Sequence, residues 1–441
     1  MKKDPKLFHP DFSDEPYWWG NARPEQGDGD DVPAQVDVAV VGSGYAGMSA
    51  ALELGRNGVN VVVLEKESLG YGAASRNGGS VSGGHNLGRS IGGDGGAGIA
   101  KGRKKAQLDE GRQAFDLVEE LIRREAIDCD YERTGRFVGA YARSHYQGFI
   151  DKIDEINEGA QVDAYVVPAE QQREEITSDY YFGGMVVQRS GSIHPAKYHR
   201  GLVAAVRRQG AKLCANAEVQ KIQREPGGYR LTSPRGEVRV ENIVIATNGY
   251  TQSVTQNLRR RVVPVASHII ATERLPDDLS RSLIPKNRTI NDTARVLCYY
   301  RMSPDGTRML FGGRPRFTQV DPVITATALY RSMIARFPDL EGYRVTHAWN
   351  GNVAFSFDHL PHMGQDDGMH YCIACNGAGI SVMTYLGYRV ARRILAPTDT
   401  ALSAFEKIPL RTKPLYTGNP WFLPIVGGYY RFRDRLDRRF S

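Results

Sequence analysis

The chain has 441 residues, 41% hydrophobic and 24% charged, a balance that excludes wholesale disorder and allows about two to three folding units at roughly 150 residues each. Its net charge of +7 comes with no zinc-finger spacing, RNA-binding sheet motif or basic arm, so a nucleic-acid partner is not expected. The surplus suits an anionic small substrate or a membrane surface.

Residues 1–34 are polar and proline-dotted, with Tyr17-Trp18-Trp19, and read as an extended arm packed on the body. Residues 36–41 form a buried-strand pattern, 45–57 a helix and 60–64 a second strand, which together make a βαβ unit. Residues 70–102 are the glycine-rich stretch of a chain with 48 glycines. Its place directly after the βαβ unit suggests a backbone pressed against a ligand rather than a linker. A helix is expected over 103–126. Another starts at His194-Pro195, where proline suits the first helical position. Short strands follow at 218–224, 229–233 and 237–240, and a buried strand at 242–247 ends in Asn248-Gly249. Residues 263–315 read as several strands with turns, 321–336 as a helix, 371–375 as a strand and 380–395 as a helix. The segment from Pro420 to Arg439 is aromatic and then arginine-rich, broken by prolines.

Five scattered cysteines make no disulfide framework. Cys372 and Cys375 lie in a β-run, where a spacing of three points them to opposite faces, so they read as a core pair, and no metal site is expected. The first residues lack a signal-peptide core and no run is long and apolar enough to span a bilayer, from which a cytoplasmic location follows as the expectation.

Gly42-x-Gly44-x-x-Gly47 follows a strand and opens a helix. Gly42 permits the tight turn, Gly44 lets a pyrophosphate approach the backbone, and Gly47 lets the helix pack close to the strand. The second strand ends at Glu65, whose carboxylate can accept hydrogen bonds from ribose hydroxyls. This context identifies a dinucleotide site. An NAD dehydrogenase would continue with further βα units. Here Ala73–Gly79 follows instead, and two more nucleotide-side pieces, Ala246–Tyr250 and Asn376–Gly379, arrive much later.

These segments, with Tyr17-Trp18-Trp19, Ala271-Thr272-Glu273, Phe311-Gly312-Gly313, Trp349-x-Gly351, Asp358-x-x-Pro361 and Pro420–Pro424, make the chain resemble the D-amino-acid-oxidase-like FAD-dependent oxidoreductases. Within them it is most similar to the gamma-glutamylputrescine oxidase group, close to glycine and sarcosine oxidases. The resemblance implies an α/β, two-domain, Rossmann-like fold. A discontinuous FAD-binding domain would take 35–110, 190–262 and 345–405. An α+β substrate domain with a mixed sheet would take 111–189 and 263–344. Residues 406–441 would be an aromatic and basic tail packed on the body.

The implied cofactor is FAD, bound non-covalently because Trp349-Asn350-Gly351 offers no cysteine; His85 is a weaker covalent candidate. The implied cofactor contacts are Gly42, Gly44, Tyr45, Ala46, Gly47, Glu65, Lys66, Ala74, Ser75, Arg76, Asn77, Gly78, Gly79, Val219, Thr247, Asn248, Gly249, Trp349, Gly351, Asn376, Gly377, Gly379 and Ile380. A helix starting near Gly379 would stabilise negative charge on a reduced flavin. The implied reaction is hydride transfer from a small amine or amino acid to the flavin, then imine hydrolysis and reoxidation by O2 to H2O2. A carboxylated secondary amine such as an N-substituted glycine is the expected substrate. Gamma-glutamylated polyamines, a membrane-associated dehydrogenase feeding a quinone, and a non-catalytic flavin-binding protein are the alternatives. Arg301 is the candidate carboxylate anchor, and Tyr250, His268 and His359 are further candidates beside the flavin segments. His194 reads as a helix entry. The tail is the candidate peripheral membrane contact.

Overall fold

The computed structural model describes residues 4–82, 101–399 and 403–440. Val38–Val41 and Val61–Leu64 are runs of aliphatic residues without alternation, the pattern of strands covered on both faces, and all eight residues are buried. They pair in parallel from Val38 opposite Val61 to Val41 opposite Leu64. Asn242–Ile245 pairs in parallel on the other side of Val38–Val41. Lys212–Cys214, Met369–Ile373 and the antiparallel His362–Asp366 complete a six-stranded sheet. Its strands come from three widely separated stretches of chain.

Helices cover this sheet. Gly387, in the helix Gly379–Leu395, lies so close to the helix Tyr45–Arg56 that a Cβ there would sit 2.1 Å from the Ala46 carbonyl oxygen. The helix Pro195–Arg208 begins as its sequence suggests. His194 is the N-cap, Pro195 opens the first turn, and His194 Nδ1 accepts from the Lys197 N–H at 3.2 Å.

A nine-stranded mixed sheet forms the second layer. Within it Val263–Thr272 runs antiparallel to Val345–Phe355 and to Met309–Gly313. Beyond them lie Cys298–Met302, Thr289–Asp292, Arg136–Gly139, Gly184–Val187 and Ala164–Val167. The arm supplies the opposite edge, Phe8–Ser13. Val345–Phe355 thus belongs to the larger sheet, although the domain boundaries drawn above group it with the dinucleotide segments. It is long enough to pair along ten residues of Val263–Thr272 while its far end reaches the smaller sheet's region at Asn376.

This sheet contains a buried ion pair. Arg336 Nη2 donates to Asp292 Oδ2 at 2.7 Å, and Arg336 Nε donates to the Tyr181 hydroxyl. The residues from Leu423 to Phe440, expected as a proline-broken tail, form one continuous helix. Pro424 falls in its first turn, where the missing N–H is not required.

Candidate functional site

A cavity of about 820 Å³ is lined from both sheets. On the smaller sheet it begins where the strand Val38–Val41 ends. Gly42 has φ +100, a left-handed conformation, and a Cβ there would crowd the Ala246 carbonyl at 3.0 Å. A Cβ on Gly47 would lie 1.9 Å from the Gly42 oxygen, so glycine permits this close approach of helix and turn. Gly44 differs. It caps the helix Tyr45–Arg56, lines the cavity, and a Cβ there would meet no atom of the described residues within 4 Å, its chain neighbours aside. The cradle is open at the one position where a phosphate must approach the backbone, and the helix start aims N–H groups and positive dipole at it.

Glu65 stands at the end of the second strand. Its Oε2 accepts from the Ser43 N–H at 2.8 Å and the Ser43 hydroxyl at 2.6 Å, and its Oε1 from the Glu67 N–H at 3.2 Å. Burial raises its pKa, and these hydrogen bonds oppose the rise. Ser43 is fixed in turn: its carbonyl meets His199 Nε2 at 2.6 Å. Lys66 and Val219 line the same end.

The segment 73–79 is held by indole and phenol groups from distant elements. Trp18 Nε1 donates to the Asn77 carbonyl, Trp349 Nε1 to the Arg76 carbonyl, each at 2.8 Å, and Trp19 Nε1 to the Ser75 hydroxyl at 3.0 Å. The Tyr45 hydroxyl donates to the Ala74 carbonyl. Arg76 stacks over Trp19 and Tyr71 at 4.7 and 4.4 Å, and one of its terminal nitrogens is buried without a hydrogen-bond partner. Ala74, Arg76, Asn77 and Gly78 line the cavity, whereas Gly47, Ser75, Gly79 and Trp349 stand behind it. Those four support the wall rather than form it.

Near the C-terminal piece, Thr247–Gly249, Gly351, Asn376, Gly377, Gly379 and Ile380 line the cavity beside Tyr45 and Ala46. Asn248 and Asn376 take left-handed φ of 45° and 47°, a conformation asparagine tolerates. Asn248 Oδ1 accepts from the Ala374 N–H at 3.0 Å and Asn376 Oδ1 from the Ser356 N–H at 3.2 Å. The first of these bonds ties the second piece to the third, and the other braces the third internally. Cys372 is buried in its strand, and Cys375, just past the strand end, faces the cavity.

The substrate-side candidates divide. Tyr250 lines the cavity and its hydroxyl accepts from the Asn352 N–H at 3.2 Å. Arg301 also lines it, but two of its three guanidinium nitrogens are committed. Nε donates to the Met302 carbonyl at 3.0 Å, and Nη1 to the Ile193 and Gly79 carbonyls at 2.9 and 3.4 Å. Burial lowers its pKa to about 10. Its Nε and Nη1 clamp the Gly79 turn to the larger sheet, which leaves only Nη2 for a carboxylate. His268 points away: Nδ1 meets the Thr325 hydroxyl at 3.1 Å, and burial pushes its pKa down to about 4. Alternation along the strand puts Ser267 and Ile269 on the cavity side and His268 on the helix side. His359 occupies a left-handed turn at φ +59 outside the cavity lining. Asp358 pairs instead with His362 Nε2 at 2.9 Å. His85 lies outside the described residues.

Arg314 was not among the expected site residues. It follows directly on the strand Met309–Gly313, lines the cavity and is only 6% exposed. Among the described residues its Nε has no hydrogen-bond partner and no carboxylate is in ion-pair range of it. The Phe355 ring lies 5.1 Å from the guanidinium. Burial lowers its pKa, as it must for a cation without a counter-ion. Nearby, the Ser267 and Tyr299 hydroxyls meet at 2.9 Å. A basic residue closing a strand directly after Gly312-Gly313 was the available sequence signal.

Comparison with known proteins agrees with this architecture. The model of the FAD dependent oxidoreductase family, DAO, matches residues 37–393. The gamma-glutamylputrescine oxidoreductase of Escherichia coli strain K12 is 30% identical over 414 residues, covering 91% of this chain and 93% of that protein. The crystal structure of glycine oxidase from Geobacillus kaustophilus superposes with a TM-score of 0.71 at 20% identity, covering 87% of this chain and 99% of that one. The iminodiacetate oxidase of Chelativorans sp. BNC1 superposes with a TM-score of 0.66 at 16% identity, covering 84% and 98%. The α/β architecture with its mixed second sheet, the open glycine cradle and the extent of the family match lead to one conclusion: the chain belongs to the FAD-dependent oxidoreductase family and is an enzyme whose cofactor is FAD.

Proposed function

We propose that the protein oxidises a small amine or amino acid that carries a carboxylate, and that Arg314 anchors that carboxylate. The observation behind this reading is the buried, unbonded guanidinium facing the cavity. Burying a charge without a partner is costly, and a carboxylate from the substrate matches the planar fork.

FAD supplies the two-electron acceptor for the reaction. In this reading its pyrophosphate lies at Gly42–Ala46, its ribose at Glu65, and its ring system along Arg76–Gly78, Gly351 and Asn376–Ile380. The link is non-covalent, since Trp349-Asn350-Gly351 has no cysteine. The chain's own residues do the remaining work. Arg314 orients the substrate through its carboxylate, which fixes where the amine lies. Ile269, Leu310 and the Tyr299 ring line the same wall and exclude water from the reacting carbon. The Ser267–Tyr299 hydroxyl pair offers hydrogen bonds to the amine. A substrate that arrives as the neutral amine needs no side-chain base. Oxygen is the acceptor, giving H2O2.

The name of the Escherichia coli relative makes a gamma-glutamylated diamine a second reading. Such a compound also ends in a carboxylate, but its terminal amine stands a long chain away from it, so the anchor would hold it in a different register. Arg314→Met tests the assignment. KM for carboxylated amines is expected to rise on the order of 100-fold, the size of a lost charge-assisted contact, with FAD content unchanged. Loss of FAD, or an unchanged KM, would overturn it.

A further inference from the structure

The helix Leu423–Phe440 presents two different faces. Its inner face is fixed to the body. Asp434 accepts from the Arg295 and Val296 N–H groups, each at 2.9 Å, and Asp437 pairs with the Arg295 side chain. Arg438 lies over the Tyr180 ring at 4.1 Å and donates to the Tyr180 carbonyl at 2.9 Å. Leu423 is buried, and Gly427 packs against Phe317.

The outer face is apolar at helical spacing. Trp421, Ile425, Tyr429 and Phe432 follow one another at intervals of four, four and three, and are 60%, 69%, 53% and 58% exposed. This is one stripe along the helix and its entry. Arg431, Arg435 and Arg439 are exposed beside it. The only carboxylates between 421 and 440 are Asp434 and Asp437, and both are taken by Arg295. The outward face of this helix is therefore apolar and, among the described residues 421–440, carries only cationic charge. No helix among the described residues is long and apolar enough to cross a membrane.

We propose that this helix docks the enzyme flat on an anionic phospholipid surface, with the apolar stripe at the acyl boundary and the arginines on lipid phosphates. The charge pattern favours lipid over a second copy of the chain. A two-fold contact through this face would set arginine against arginine with no carboxylate to answer it. An amphipathic helix with aromatic residues on one side and arginines flanking them has the chemistry of an interfacial helix. The inference does not depend on the substrate assigned above. It has one consequence for the site: Arg295, held by Asp434 and Asp437, lines the cavity, so docking turns that wall of the cavity toward the bilayer.

The test is co-sedimentation of the FAD-loaded full chain with vesicles of phosphatidylcholine alone and with about 30% phosphatidylglycerol. The wild type is expected to pellet with the anionic vesicles, at least about tenfold more than with neutral ones, and to be released by about 1 M salt, where screening is nearly complete. Ile425→Ser with Phe432→Ser, and separately Arg435→Glu with Arg439→Glu, should each lower binding about tenfold or more while amine oxidation in solution is unchanged. Wild type left in the supernatant, charge-reversed protein that still pellets, or a dimer in gel filtration that the Ser variant converts to monomer without any lipid binding would each overturn the proposal.

Discussion

Replacing Gly44 by threonine should remove FAD binding and leave the fold intact. Gly44 has φ −69 and ψ −176, a conformation that a side chain adopts without strain. It is the N-cap of the helix Tyr45–Arg56, and threonine and glycine are about equal there. Among the described residues, its chain neighbours aside, no atom lies within 4 Å of the Cβ position, so the side chain starts into the cavity that Gly44 lines. The apo variant should therefore unfold within about 0.5 kcal/mol of the apo wild type, as for a substitution that touches nothing. The wild type gains about 2.7 kcal/mol at an FAD concentration of 100 times Kd and about 4.1 at 1,000 times. The variant should gain almost none of this, because its side chain occupies the place of the pyrophosphate. Thermal melts with and without added FAD measure both terms. Gly47→Ala is the contrast: its Cβ would meet the Gly42 oxygen at 1.9 Å, so the apo protein itself should lose stability. An FAD-induced shift in Gly44→Thr equal to that of the wild type would refute the placement of the pyrophosphate.

Three further outcomes follow from particular contacts. Asp292→Asn leaves the Arg336 guanidinium buried without its counter-ion, which should cost about 3–5 kcal/mol in urea denaturation; a change under about 1 kcal/mol would contradict a buried pair there. His268 is fully buried with its pKa lowered to about 4. The unfolded state, with a histidine pKa near 6.5, binds the proton more readily, so stability is lost as pH falls from about 6.5 toward 4. Between about pH 7.5 and 5.5 this residue should account for about 1 kcal/mol of that loss, which His268→Gln should remove. Arg301→Met frees the Ile193 and Gly79 carbonyls, so it should lower thermal stability and weaken FAD retention. The preference for carboxylated over uncarboxylated amines should survive in Arg301→Met and disappear in Arg314→Met. The opposite pattern would restore Arg301 as the anchor.

Much of the dinucleotide end was legible in the sequence because its signals are local. A glycine with φ +100, a glycine under a crossing carbonyl and a carboxylate at the next strand end all occur within 24 residues of one another. Pro195 and its capping histidine gave away the helix start in the same way. The substrate side was less legible because its chemistry depends on long-range register. His268 and Ser267 are neighbours in the chain, and only strand pairing decides which one sees the cavity. Arg301 looked available because backbone acceptors such as Ile193 and Gly79 cannot be read from composition. Arg314 follows a glycine-closed strand but gives no further sign in the sequence, because its isolation from the carboxylates of the described residues arises only on folding. The helix Leu423–Phe440 was hidden by Pro424 and by two glycines, yet tertiary contacts through Asp434 and Arg438 hold it.

Anaerobic reduction of the bound flavin, followed at roughly 450 nm where the oxidised cofactor absorbs, separates a carboxylate-anchored reaction from an unanchored one. Each amine would be compared with its partner lacking the carboxylate. Sarcosine and iminodiacetate would be set against dimethylamine, proline against pyrrolidine, and gamma-glutamylputrescine against 4-aminobutanoylputrescine, which lacks only the carboxylate. Rapid bleaching by at least one carboxylated member, with its uncarboxylated partner slower by about 100-fold and the difference abolished in Arg314→Met, is the predicted result. Equal bleaching by the two members of every pair, or a carboxylate preference that persists in Arg314→Met, would contradict the account.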